Sequence, residues 1–102
     1  MTIWPKAVLA AVVALASQSA LAQADPLQVR SWAAGCANCH GTNGVAQPGM
    51  VSLAGVPKNQ LVNTLLDFKA GRRPATIMHQ LAKGYTDEQL ELLAGYFAAQ
   101  KK

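Results

Sequence analysis

The motif Cys36-Ala37-Asn38-Cys39-His40 constrains the fold of this chain more than any other feature of its 102-residue sequence. Its two cysteines are the only ones in the chain. On a helix, the two intervening residues place the sulfur atoms about one turn apart, and His40 follows directly. Clusters of this kind attach a prosthetic group, bind zinc, or form a redox dithiol or a disulfide.

The spacing C-x-x-C-H is the attachment signature of haem of the c type. Each thiol adds to one vinyl group of the porphyrin, and the imidazole of His40 then lies beneath the iron as the proximal ligand. A thioredoxin-type dithiol follows a strand, and no strand pattern precedes this motif. A zinc site needs four ligands, and His79, the one further candidate, has no partner three or four residues away. A disulfide between Cys36 and Cys39 would close too short a loop to stabilise the chain much.

Residues 1–22 predict a secretory signal peptide that is removed after export. Lys6 is the only charged residue of this stretch, an apolar run covers residues 7–16, and a small-residue A-x-A exit ends at Ala22. The apolar run is too short for a membrane-spanning helix, which needs roughly 20 residues. We therefore expect cleavage between Ala22 and Gln23, a periplasmic protein, and no stable membrane anchor after cleavage.

The mature chain is then residues 23–102, a single domain of the remaining 80 residues with a net charge of +3. With 51% hydrophobic residues the chain is too apolar to be disordered, and with 14% charged residues it is not a strongly basic nucleic-acid binder. A chain of this size buries only a marginal core and usually needs a disulfide, a metal or a cofactor to stabilise it. A covalently tethered haem, which is attached outside the cytoplasm, would meet that need.

Hydrophobic periodicity and capping signals predict an all-helical domain. Thr86 and Gln89 form a capping box that begins the last helix, which we expect to run to about Gln100. Four glycines and a proline predict a long loop over Gly41–Gly55. The other helices are expected at Leu27–Cys39, Pro57–Gly71 and Ala75–Lys83, the last as a short helix or a turn.

Five segments spread over Leu27–Gln100 share their sequence pattern with one family. They are Cys36–Gly41, Ser52–Gly55, Thr76–Met78, Lys83–Leu90 and Leu93–Phe97. In these segments the chain resembles the bacterial class I cytochromes c, most of all the cytochrome subunits of flavocytochrome c sulfide dehydrogenases and related small monohaem cytochromes. The resemblance implies an all-α fold of three to four helices wrapped around one covalently bound haem, with Cys36 and Cys39 as the thioether anchors and His40 as the proximal ligand.

The resemblance also implies a methionine from the C-terminal half as the sixth ligand of the iron, and Met78 matches the Thr-x-Met of the family. A thioether sulfur favours ferrous iron and raises the reduction potential. Met50 lies ten residues after His40, too near the proximal side to cross the ring easily. Met78 lies between the second and last helices, where the chain can return over the opposite face. The alternative is His79, which would give bis-histidine ligation and a lower potential.

One position departs from the family pattern. In such cytochromes a backbone carbonyl of the loop after the motif accepts a hydrogen bond from the proximal histidine ring, which fixes its orientation and basicity. The family usually has proline two residues before the leucine of Ser-Leu-Ala-Gly, and this chain has Val51. Because any residue supplies a carbonyl, we expect the hydrogen bond to persist in a less rigid loop, with Pro48 as a local compensation.

Further residues are expected around the haem and in the helix packing. Gly35, Gly95 and Tyr96 are predicted to let the first and last helices approach closely. The candidates for the haem crevice and its surrounding core are Trp32, Leu53, Leu65, Phe68, Ile77, Leu81, Leu93 and Phe97.

The charged surface is mildly basic. Arg72 and Arg73 form either a solvated face or a contact for a haem propionate or an acidic partner. Steering of an acidic redox partner is the expected role of the lysines, which are Lys58, Lys69, Lys83, Lys101 and Lys102.

These features predict an electron-transfer protein rather than an enzyme. With both axial positions filled by the protein, no open site remains for a substrate. From the resemblance, the chain accepts electrons from a partner dehydrogenase, such as a flavoprotein that oxidises sulfide, and passes them to a downstream acceptor. Two alternatives stay open, namely a free carrier to a terminal oxidase or peroxidase, and a ligand-binding or gas-sensing haem protein with a labile sixth site.

Overall fold

The computed structural model describes residues 25–102, and the predicted signal peptide at residues 1–22 lies outside this range. Four α-helices follow one another, with a short 3-10 turn after the first and no strand among the described residues. The helices are α1 (Pro26–His40), α2 (Lys58–Ala70), α3 (Met78–Lys83) and α4 (Asp87–Ala98), and the 3-10 turn is Thr42–Gly44. The predicted all-α class is therefore confirmed.

Local capping chemistry explains where the helices begin and end. The side chain of Asp25 accepts a hydrogen bond from the Leu27 amide, 3.0 Å away, and Pro26 occupies the first helical position of α1. Gly71 ends α2 in the left-handed conformation, with φ of 76°. The predicted capping box of α4 is present, because the Gln89 amide donates to Thr86 Oγ1 and the Thr86 amide to Gln89 Oε1.

Three predicted helices were too long, and for α2 the excess is one residue at each end. The helix expected from Ala75 begins at Met78, because Ile77 has an extended φ of −137° and acts as the N-cap. The last helix ends at Ala98 rather than near Gln100. The loop predicted over Gly41–Gly55 also contains the 3-10 turn.

The last helix supplies most of the core. Leu90, Leu93, Ala94 and Phe97 of α4 are buried together with Ala33 of α1 and Leu61 of α2. Helix α1 packs against the 3-10 turn and α4, whereas α3 packs mainly on α2. The helix that ends at His40 and the helix that begins at Met78 therefore have different main packing partners. Along residues 25–102, no helix is both long and apolar enough to cross a membrane.

Truncation of Leu90 to alanine is expected to lower the free energy of unfolding by about 2–5 kcal/mol, because the side chain is only 1% exposed and its removal leaves a cavity. Chemical denaturation, monitored by circular dichroism, measures the free energy of unfolding. The matched control is Leu92→Ala on the same helix, where the side chain is 38% exposed and the expected loss is below about 1 kcal/mol. Equal losses of unfolding free energy in the two variants would contradict the burial of Leu90 in the core.

Candidate haem site

The C-x-x-C-H motif occupies the last turn of α1, and its two cysteines form no disulfide. The helix stops directly after His40, where Gly41 has φ of 82° and donates its amide to the Ala37 carbonyl at 3.0 Å. A Cβ atom on Gly41 would overlap the backbone carbonyl of Val45. Only glycine therefore lets the chain turn back sharply enough to place the following loop beside the His40 ring.

The two cysteines have different surroundings. Cys36 is half-buried and packs against the core cluster, whereas Cys39 is exposed. Burial raises the pKa of the Cys36 thiol, since a low-dielectric environment disfavours the thiolate. Cys36 thus adjoins the protein core, and Cys39 lies at the surface.

His40 is held by the backbone of the loop that follows it. Its Nδ1 lies 2.6 Å from the carbonyl oxygen of Val51. A carbonyl only accepts, so Nδ1 carries the proton and donates, which leaves the lone pair of Nε2 available for a metal. The expected hydrogen bond therefore persists with Val51 in place of the family's proline.

Backbone and side-chain contacts hold the loop that supplies this carbonyl. The Gly44 carbonyl accepts from the amides of Leu53, at 2.8 Å, and Ala54, at 3.1 Å. Nearer the tip of the loop, the Ala46 amide donates to Ser52 Oγ at 2.9 Å. Sequence reasoning missed the role of Ser52, whose only signal was its place in the Ser-Leu-Ala-Gly segment.

Helix α4 contacts the 3-10 turn at the start of this loop. The Tyr96 hydroxyl donates to Asn43 Oδ1 at 3.0 Å, and Asn43 adopts a positive φ of 55°. A Cβ on Gly44 would lie 2.8 Å from a ring carbon of Phe97, so the turn and the helix are in direct contact. The structure thereby links the last helix to the segment directly after His40.

The predicted glycine contact between the first and last helices is wrong. A Cβ on Gly35 would meet no atom within 4 Å, and one on Gly95 would meet the Lys58 side chain. The small residues buried in the shared core are Ala33 and Ala94 instead. Tyr96 does contribute, but through its bond to the 3-10 turn.

Met78 is half-buried as the first residue of α3. His79 follows it, and its Nδ1 is buried without a hydrogen-bond partner. Iron ligation by Met78, and the alternative ligation by His79, remain predictions.

Several large apolar side chains are exposed. Five large ones are 46–68% exposed on the loop after His40 and beside Met78, and they are Val45, Met50, Val51, Ile77 and Leu81. Exposed apolar side chains on the loop that carries Val51, together with two cysteines and an imidazole with an available Nε2, fit a large apolar prosthetic group.

The other crevice candidates differ in burial. Leu93 and Phe97 belong to the buried core, and Trp32, Leu53 and Leu65 are partly buried against it. Phe68 is half-buried beneath Arg73.

Several of the basic residues have partners on the protein itself. Arg72 Nε lies 2.9 Å from Asp67 Oδ1, and the Arg73 guanidinium lies 5.5 Å from the centre of the Phe68 ring. Lys69 Nζ contacts Asp87 at 2.8 Å. These exposed pairs add little stability, but they reduce the positive charge of this end of the molecule.

The donor set weighs against the zinc alternative. Within residues 25–102, no group of three or more His, Cys, Asp or Glu side chains is arranged to bind a metal ion. The cysteines and His40 lie together, and His79 belongs to another helix. The arrangement matches covalent attachment of a group that carries its own metal.

No family model matches the chain, but it is similar to known proteins. It is 44% identical over 62 residues to the cytochrome subunit of sulfide dehydrogenase from Chlorobaculum tepidum, which covers 61% of this chain and 56% of the relative. It is 36% identical over 98 residues to a thiosulfate dehydrogenase electron acceptor from Thiomonas intermedia, which covers 88% of this chain and 44% of the relative.

A solved structure is similar as well. The structure of cytochrome c4 from Acidithiobacillus ferrooxidans aligns with a TM-score of 0.60 at 33% identity, over 63% of this chain and 37% of that one. The chain spans about half the length, or less, of the relatives it matches.

Proposed function

Since this chain belongs to the class I cytochromes c and carries covalently bound haem c, we propose that it is a periplasmic electron-transfer protein that accepts electrons from a partner dehydrogenase and passes them to a downstream acceptor. The observation that carries this proposal is the pairing of His40 with Val51. A proximal ligand must present Nε2 in a fixed orientation, and the 2.6 Å bond from Nδ1 to the carbonyl does this.

Each residue of the site has a defined task in this proposal. When bound, the haem supplies an iron that cycles between the ferrous and ferric states. Cys36 and Cys39 would tether it through thioethers, and His40 would bind its iron. Met78 would supply the second protein ligand, and its soft sulfur would favour the ferrous state.

Occupation of both axial positions favours electron transfer over catalysis. A protein ligand on each face of the ring leaves no position where a substrate or a gas can bind directly. A haem bound against the exposed apolar side chains of Val45, Val51, Ile77 and Leu81 would exclude water from them, which would lower the local dielectric and influence the potential. The protein then sets the potential and the access of partners, and the haem carries the electron.

The names of the relatives support a dehydrogenase as the electron donor. One relative is a subunit of sulfide dehydrogenase, and another is an electron acceptor of thiosulfate dehydrogenase. We propose a flavoprotein that oxidises sulfide as the partner, which the resemblance to flavocytochrome c subunits favours. The signal-like residues 1–22 support a periplasmic location.

Gentle purification from the periplasm of the native host, followed by absorption spectroscopy, tests this proposal. Haem c and flavin bands in one complex are the expected result. Haem c bands on a small monomer without flavin would contradict the subunit assignment and favour a free carrier. A chain without haem c bands would contradict the proposal as a whole.

A further inference from the structure

We propose that Ser52 is a positioning residue for the proximal ligand, because it holds the Val51 carbonyl against His40 and thereby tunes the reduction potential. This inference rests on the proposed ligation of iron by His40. It adds a side chain of the loop to a contact in which Val51 contributes only its backbone carbonyl.

The loop that carries Val51 has few other constraints. Residues 47–52 are all exposed, and the Val51 side chain is 68% exposed, so packing contributes little to its position. A turn closes the tip of the loop through the Met50 amide and the Gln47 carbonyl, 3.1 Å apart. The bond from the Ala46 amide to Ser52 Oγ, at 2.9 Å, joins the two sides of the loop beneath this turn.

Ser52 is directly bonded to Val51 along the chain, so its anchoring limits how far the Val51 carbonyl can move. The next attachment lies at Leu53 and Ala54, whose amides donate to the Gly44 carbonyl. Without the Ser52 hydroxyl, the carbonyl would be restrained only by that base, by the turn at the tip and by its bond to the His40 ring itself. The family's proline would stiffen the backbone at position 51 itself, and in this chain a side-chain hydrogen bond restricts the adjacent residue.

The chemical consequence concerns the basicity of His40. A strong bond from Nδ1–H to a carbonyl makes Nε2 a stronger electron donor to the iron. A stronger donor stabilises the ferric state and lowers the potential. Loosening the Val51 carbonyl should therefore weaken the donor and shift the potential upward.

The test compares Ser52→Ala with Ser52→Thr in the complete, haem-loaded protein. Exchange of the His40 Nδ1–H with solvent is measured by NMR of the ferrous protein labelled with 15N-histidine, and the potential by spectroscopic titration. In Ser52→Ala we expect exchange to be about fivefold faster, the factor that corresponds to about 1 kcal/mol. The potential should also rise, and Ser52→Thr should behave like the wild type because it keeps the hydroxyl.

Two further variants complete the test. Ser31→Ala, an exposed serine of α1, should change neither quantity. Ala46→Pro removes the donor of the same bond, and the extended conformation of Val45, with φ of −90° and ψ of 99°, accepts a following proline. Ala46→Pro should reproduce the faster exchange of the His40 Nδ1–H and the higher potential. If Ser52→Ala fails to assemble with haem, Ala46→Pro provides the test.

Unchanged exchange and potential in Ser52→Ala, with His40 ligated in the wild type, would overturn the role of Ser52 alone. A fall in unfolding stability without those changes would also overturn it, since that is what a purely structural role predicts. Signals of an unligated His40 in the wild type would overturn the proposed ligation and, with it, this inference.

Discussion

Replacement of His40 by alanine is expected to abolish the low-spin haem spectrum and most of the accumulated haem-loaded protein. In the proposed site the imidazole is the iron ligand that follows the two cysteines, and no other side chain of the motif could replace it. The variant also loses the 2.6 Å bond that holds the Val51 loop. Haem staining and absorption spectra of periplasmic extracts measure both effects.

The matched control for this variant is His79→Ala. His79 lies on α3, and we expect its variant to keep the yield and the spectrum of the wild type. A native spectrum in the His40 variant would contradict the proximal assignment. Loss of the native spectrum in the His79 variant would instead favour bis-histidine ligation.

Replacement of Met78 by alanine is expected to lower the reduction potential by on the order of 0.1–0.3 V, part of the roughly 0.8 V range that axial ligands span. Water or another weak oxygen or nitrogen donor does not stabilise ferrous iron as a thioether does. Spectroscopic redox titration measures the potential, and the absorption spectrum of the ferric protein reports the change of ligand.

Met50→Ala is the control for the distal ligand. Met50 is 49% exposed in the loop near His40, so its variant should retain the methionine-ligated spectrum and change the potential only slightly. An unchanged spectrum and potential in Met78→Ala would contradict the methionine-ligated carrier. That outcome would favour His79 as the ligand, or the ligand-binding haem protein that the sequence leaves open.

Features set by neighbouring residues could be predicted from the sequence. The capping box at Thr86 and Gln89 depends on a spacing of three residues, and Gly71 supplies the left-handed conformation that ends α2. The attachment motif is equally local, because one helical turn brings its residues together. For this reason the order of the helices and the position of the motif at the end of α1 were predictable.

Features that depend on distant contacts were not predictable. The bond from Tyr96 to Asn43 joins residues 53 positions apart, and the bond from Ala46 to Ser52 depends on how the loop folds back. Gly35 was expected in a helix contact, but glycine alone does not indicate which face of a helix packs. The Val51 carbonyl could be expected only from the resemblance, since every residue has one.

The small core gives the haem a structural role as well. Only six residues form the central buried cluster of the described range, and the large apolar side chains at the site are about half exposed or more. A domain of this size gains little stability from such a core alone. Haem attachment would cover this apolar surface, so folding and cofactor binding should be coupled.

Intact mass spectrometry of the protein purified from the periplasm, before and after extraction with acidified organic solvent, tests whether haem is attached covalently. We expect one haem per chain that extraction does not remove, with thioethers mapped to Cys36 and Cys39 in the peptides. A chain with two unmodified thiols, or with haem lost completely on extraction, would contradict covalent attachment.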